Sequence, residues 1–150
     1  MSLDDDIDLL TNVPTLALFE PDALRLLAFA AQGVHVDSGE VLFRRGAPSD
    51  GAYVVRTGSI ALTAQADGAA FLAGTGTLID ELAMFVEVDR DADAVAREPS
   101  EVIYLSRELV RRVLREFPSS AVAVRDGVAR RLSELTRELA DVGDRLQRLG

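Results

Sequence analysis

Apolar positions early in the chain recur at helical spacing: Leu24, Leu27 and Ala31 share a face after Pro21-Asp22. Proline suits the first turn of such a helix, and Gly33 suits its end. From Val34 onwards the period shortens to two. Short β-type runs follow at 34–36, 41–44, 52–56, 60–64, 70–73, 92–96 and 102–105. Thr57-Gly58 and Asp67-Gly68 lie between alternating runs, where residues tolerant of positive φ make tight hairpins. Gly74-Thr75-Gly76 reads as one more hairpin turn, because a phosphate loop needs a Lys and a following helix. Many short strands at regular spacing predict an antiparallel sandwich or roll.

After Leu105 the helical period returns. Ser106 is placed to cap a helix carrying Leu109, Val113 and Leu114, and Pro118 separates it from a longer one. In that last helix Val128, Leu132, Leu135, Leu139, Val142, Leu146 and Leu149 alternate steps of four and three. This is an a/d heptad stripe, narrower than the face a globular helix usually buries. Arg130, Arg131, Glu134, Arg137, Glu138, Asp141, Asp144 and Arg145 flank it. The pattern predicts a dimer seam rather than a face lying on its own domain. Gly143 weakens the helix by roughly 1 kcal/mol relative to Ala.

The whole pattern predicts an α+β fold: an antiparallel β-roll, jelly-roll or cupin-like, with an N-terminal helix and two C-terminal helices. The division expected is an N-terminal segment at 1–18, the roll with its flanking helices at 19–118, and a dimerisation helix at 119–150. A chain of 150 residues can bury a core without staples. It has no cysteine, so disulfides, thiolate metal sites and Cys nucleophiles are excluded. Every basic side chain is Arg, and the net charge of -9 argues against binding nucleic acid or an anionic membrane. No apolar run approaches a membrane span, and Asp4, Asp5 and Asp6 reverse the charge of a signal peptide's start. A cytoplasmic protein is expected.

Candidate chemistry is sparse. His35 is the sole histidine, too few for a cupin-type metal centre or a catalytic relay. No catalytic residue and no metal ligand set is assigned, and enzyme activity is not expected. Arg107, Arg111 and Arg115, with Arg112 beside them, read as a solvated helix stripe.

One segment carries more. Ile79-Asp80-Glu81-Leu82-Ala83-Met84-Phe85, followed by Arg90-Asp91-Ala92, resembles the phosphate-binding cassette of cyclic nucleotide-binding domains such as the catabolite activator sensor. That family reads Phe-Gly-Glu-Leu-Ala-Leu-Leu, a short loop, then Arg, a small or hydroxylic residue, and Ala. Gly39, Gly46, Asp50, Tyr53-Val54-Val55, Gly58, Phe117-Pro118 and Ala129-Arg130-Arg131-Leu132 extend the resemblance over residues 19–139. It implies a non-catalytic regulatory module that dimerises through its last helix. It also implies a regulatory ligand, cAMP or cGMP, in place of a cofactor. Glu81 would accept from the ribose hydroxyl, and Arg90 would clamp the phosphate. Ile79 and Leu82 would wall the pocket, with Ala83 keeping the turn small. Ala92, Ala94 and Ala96 would face inward, leaving Asp91 and Asp93 outside. Arg131 would approach the cassette Glu, and Leu135 and Thr136 would approach the base.

The family's helix is followed by a DNA-reading helix-turn-helix. This chain ends at Gly150 without one, so direct DNA binding is not expected, and output would pass to an unknown effector protein. Asp80 stands where the family has Gly, and Asp91 where it has Ser, Thr or Ala. A carboxylate about 4 Å from a phosphate costs ~4 kcal/mol at an effective dielectric near ~20. Two arrangements follow. Asp80 caps the short helix at Glu81 and leaves the pocket open, or Arg90 pairs internally with Asp91 or Glu81 in a vacant pocket whose remaining role is interaction.

Overall fold

The structure, a computed structural model, describes residues 2–64 and 68–149, with the backbone alone at Leu149. The Asp67-Gly68 turn expected from the sequence begins outside the described residues. Four α-helices and eight strands are present among those described. Helices α1 (Leu3–Thr11) and α2 (Pro21–Ala30) lead into β1 (Gln32–Val36), β2 (Val41–Phe43), β3 (Gly51–Thr57), β4 (Ile60–Thr63), β5 (Phe71–Ala73), β6 (Leu78–Ile79), β7 (Asp93–Ala96) and β8 (Ser100–Ser106). Helices α3 (Arg107–Glu116) and α4 (Pro118–Leu149) follow.

All pairings are antiparallel. One sheet runs β1-β8-β3-β6 and the other β2-β7-β4-β5. They face each other as a roll around Val36, Phe43, Val55, Ile60, Ala73, Ile79, Ala94, Ala96 and Val102. The first sheet is covered on its other side as well. Ala52 and Val54 of β3, with Ile103 and Leu105 of β8, pack with Leu10, Leu16, Leu27, Val110, Val113 and Val124 from the helical elements. A sheet buried on both faces needs apolar residues at successive positions, which accounts for Val54-Val55 and Val102-Ile103.

The expected roll is observed, with four local differences. Residues 3–18, expected as an N-terminal segment, add a helix and a 3₁₀ turn, Leu16–Leu18. Ser2 caps α1 in a reciprocal capping box with Asp5, and Leu10, Val13 and Leu16 are buried. Gly33 does not end α2; it pairs with Ile103 inside β1, and Ala31 takes the extended conformation that stops the helix. The Gly74–Gly76 turn joins no hairpin. It carries the chain from β5 in one sheet to β6 in the other, so the strands it connects pair with different partners.

The Thr57-Gly58 turn likewise joins no hairpin, because β3 pairs with β8 and β6 whereas β4 pairs with β7 and β5, so the turn carries the chain between the two sheets. Gly58 shows why this turn needs glycine. Its φ is +91°, and a Cβ built there would lie 2.1 Å from Ser100 Oγ. Ser106 caps α3 by accepting from the Leu109 N–H at 3.1 Å, and Pro118 occupies the first turn of α4. The first part of α4 packs against the domain through Val124, and Gly127 admits the Leu18 side chain. Beyond Val128, Leu132, Leu135, Leu139, Val142 and Leu146 are all exposed.

Candidate functional site

The cassette begins where β6 ends. Asp80 has φ +61° and ψ 52°, the one described residue other than glycine with positive φ. Asp is among the few side chains that enter this left-handed region at modest cost. The position therefore requires a backbone shape that glycine adopts freely, and here an acid adopts it. Its side chain does not cap the following 3₁₀ turn, Glu81–Met84, which corrects the capping expectation. The left-handed turn swings the carboxylate toward the roll instead. Asp80 Oδ2 lies 2.9 Å from Arg90 Nη1.

Arg90 is a buried cation, its side chain 3% exposed. Its Nη1 also donates to the Gly51 carbonyl at 2.7 Å, and Nη2 lies 3.5 Å from Asp50 Oδ1. The guanidinium carbon sits 4.5 Å from the centre of the Phe43 ring and 5.5 Å from that of Tyr53. The aromatic faces add cation–π attraction where water is scarce. Burial raises the Tyr53 hydroxyl's pKa, opposed by Arg90 and assisted by Asp50 and Asp80. Asp91 is exposed, and among the described residues no bond joins it to Arg90. The internal pairing of Arg90 exists, but its partner is Asp80 rather than Asp91 or Glu81. Just before β7, Ala92 is buried together with Ala94 and Ala96 of the strand, whereas Asp91 is exposed.

Glu81 takes a separate set of partners. Its carboxylate accepts from the Arg131 guanidinium of α4, through Nη1 at 3.1 Å and through Nη2, and from the Thr15 hydroxyl. Arg131 Nη2 also donates to Thr15 Oγ1 at 2.8 Å, which closes a triangle among the N-terminal segment, the cassette and α4. Burial pushes the Glu81 carboxyl up. The hydrogen bonds from Arg131 and Thr15 outweigh it and hold the group below its ordinary value. Arg131 is correspondingly raised by the Glu81 carboxylate. The ribose acceptor and phosphate clamp that the resemblance implies, Glu81 and Arg90, are both engaged within the chain.

The remaining expected site residues separate. Ile79 is buried in the roll interior and Ala83 in the turn. Leu82 is 56% exposed and walls no interior pocket. With Phe85, Val128, Leu132 and Leu135 it lines an open apolar groove of about 200 Å³ between the cassette and α4, with Glu81 and Arg131 at its edge. Thr136 is exposed, and its hydroxyl donates to the Leu132 carbonyl at 2.9 Å, a bond within the helix.

Arg107 is a correction to the expected solvated stripe. It is buried, donating through Nε to the Ala83 carbonyl and through Nη2 to the Ser49 carbonyl and hydroxyl, each at 3.0 Å. Ser49 in turn donates to the Val88 carbonyl at 2.5 Å. Arg107 thus fastens the end of the cassette turn to the start of α3. The nearby Arg111, Arg112 and Arg115 are exposed, as expected. His35 is half-exposed on β1, with Nε2 2.8 Å from Asp37 Oδ1.

The fold is thus a β-roll that carries a short 3₁₀ cassette, is capped by helices and is extended by a long C-terminal helix. The cyclic nucleotide-binding domain family matches residues 33–117, and the chain belongs to that family. It is similar to a cyclic nucleotide-binding-like protein from Brucella abortus, at 38% identity and a TM-score of 0.68, covering 75% of this chain and 99% of that one. It is also similar to the N-terminal domain of a transcriptional regulator from Streptomyces coelicolor A3(2), at 28% identity and a TM-score of 0.81, covering 88% and 95%. Among curated proteins it is 31% identical over 130 residues to lysophospholipase nte1 of Neurospora crassa, covering 84% of this chain. The match spans only 9% of that protein's length.

Proposed function

We propose that this chain is a non-catalytic, cytoplasmic regulatory module that dimerises through α4 and passes its state to an effector protein through that helix. The observation that carries the reading is the exposed stripe Leu132, Leu135, Leu139, Val142 and Leu146 on a helix whose root is bound to the cassette through Glu81 and Arg131. A second copy is the occupant that a heptad stripe recruits. The a/d positions are self-complementary, and the flanking arginines and acids can pair across the seam. Motion of the cassette would then alter the angle at which α4 leaves the domain, and that angle is the output.

The interaction role is favoured over cyclic nucleotide sensing by the pairing inside the site. A ligand such as cAMP or cGMP must displace Asp80 from Arg90 and share Glu81 with Arg131. The cassette's spacing supports the sensor reading, but its internal partners oppose it. Light scattering on Leu135→Lys and Leu139→Lys tests the dimer: the native chain runs as a dimer and both variants as folded monomers. Variants that remain dimeric would place the interface elsewhere.

A further inference from the structure

Arg90 is a fully charged group whose side chain is 3% exposed, and such a group needs an anion close by. Two carboxylates are available, and they are not equal. Asp50 lies at 3.5 Å with its side chain 77% exposed, so water screens it. Asp80 lies at 2.9 Å with its side chain 17% exposed. Asp80 is therefore the principal counter-ion. It reaches this place through a left-handed backbone turn that almost any other side chain would resist. The Phe43 and Tyr53 faces and the Gly51 carbonyl complete the surroundings of the guanidinium.

We infer that Asp80 is an intramolecular occupant of the anion subsite at Arg90, and so the residue that sets this domain's specificity against phosphate-bearing ligands. The inference deepens the interaction-module reading and rests on it, because it gives a physical reason for the site to disfavour a cyclic nucleotide. A tethered carboxylate is present at high effective concentration and loses little entropy on pairing. An incoming phosphate monoanion must displace it and then tolerate its charge nearby. Asp91, turned to solvent, contributes neither effect.

The test uses four proteins, the native chain, Asp80→Asn, Asp80→Gly and Asp91→Ser, in thermal shift and calorimetry with cAMP, cGMP and uncharged adenosine. Asn keeps the tolerance for left-handed backbone and removes only the charge, whereas Gly removes the side chain as well. Expected is binding of a cyclic nucleotide by both Asp80 variants at least about tenfold tighter than by the native chain and Asp91→Ser, with adenosine silent throughout. Each Asp80 variant should also gain more thermal stability from sodium sulfate than the native chain does, because Arg90 then lacks its principal anion. This readout remains usable if a variant folds poorly without ligand. Native binding as tight as that of Asp80→Asn overturns the inference. So does an Asp80→Asn protein that answers neither nucleotide nor sulfate. Light scattering on the same samples judges the dimer separately, since Asp80 lies off the α4 stripe.

Discussion

The Arg107 guanidinium donates to the Ala83 carbonyl at 3.0 Å, tying the first residue of α3 to the end of the cassette turn. The same side chain holds Ser49 through two further bonds, so three chain segments meet on one buried cation. Removing it leaves the Ala83 and Ser49 carbonyls without this donor in a dry environment. Arg107→Ala is expected to cost roughly 3 kcal/mol. Urea unfolding gives the number directly. Arg107→Lys should recover part of it, since one ammonium cannot span all three acceptors. A loss below about 0.5 kcal/mol, the scale of an ordinary surface substitution, would return Arg107 to the exposed stripe.

Glu81 and Arg131 are both partly exposed, so their bond is worth less than its geometry suggests. Arg131→Ala should lower stability by about 1 kcal/mol once solvent screening is allowed for. Its larger effect should fall on the root of α4. Hydrogen exchange of amides around residues 124–132 should accelerate, while those of β3 and β8 stay protected. Uniform acceleration would mean that the triangle supports the whole fold rather than the helix root.

The Glu81 carboxyl also makes an acid-sensitive joint. Its pKa is lower in the fold than its ordinary value of 4.5, so the folded state binds fewer protons there than the unfolded chain. The stabilisation is therefore full above that ordinary value and is lost as pH falls through the lower folded one. As pH falls below about 5, the native chain should lose more stability than Glu81→Gln, which has no proton to gain. Parallel slopes for the two proteins would assign the acid sensitivity to other carboxylates.

How much of this could be read from the chain depends on how local each cause is. The heptad of α4, the Ser106 cap and the inward alanines of β7 each follow from neighbours a few residues apart, and they were legible. That the Thr57-Gly58 turn crosses between sheets instead of closing a hairpin depends on strand partners far along the chain. The two-residue strand β6 was too short to show a period. Helix α1 is signalled only by Ser2-x-x-Asp5, a capping box set inside the acidic run Asp4-Asp5-Asp6. Glu81 meets Thr15 and Arg131 across 66 and 50 positions, and Arg107 meets Ser49 across 58. No sequence period encodes such distances. Family resemblance pointed to Arg131, and nothing pointed to Thr15. The reach of Asp80 to Arg90 depended on a single positive φ, a hint that glycine at the family's corresponding position already contained.

Gly143 offers a test of what α4 meets in solution. It lies one residue beyond Val142, beside the apolar stripe rather than in it. A Cβ built there meets nothing within 4 Å, and its φ is not positive. Nothing in the domain therefore requires glycine. Gly143→Ala should strengthen the helix by ~1 kcal/mol through backbone entropy alone, visible as added helicity in circular dichroism. If two α4 helices pair, both copies gain, and the dimer should tighten by on the order of tenfold or more. Added helicity with a weakened dimer would show instead that the partner's backbone approaches closely at this point. In that case glycine serves the contact, and the seam is broader than the stripe of Leu132 to Leu146.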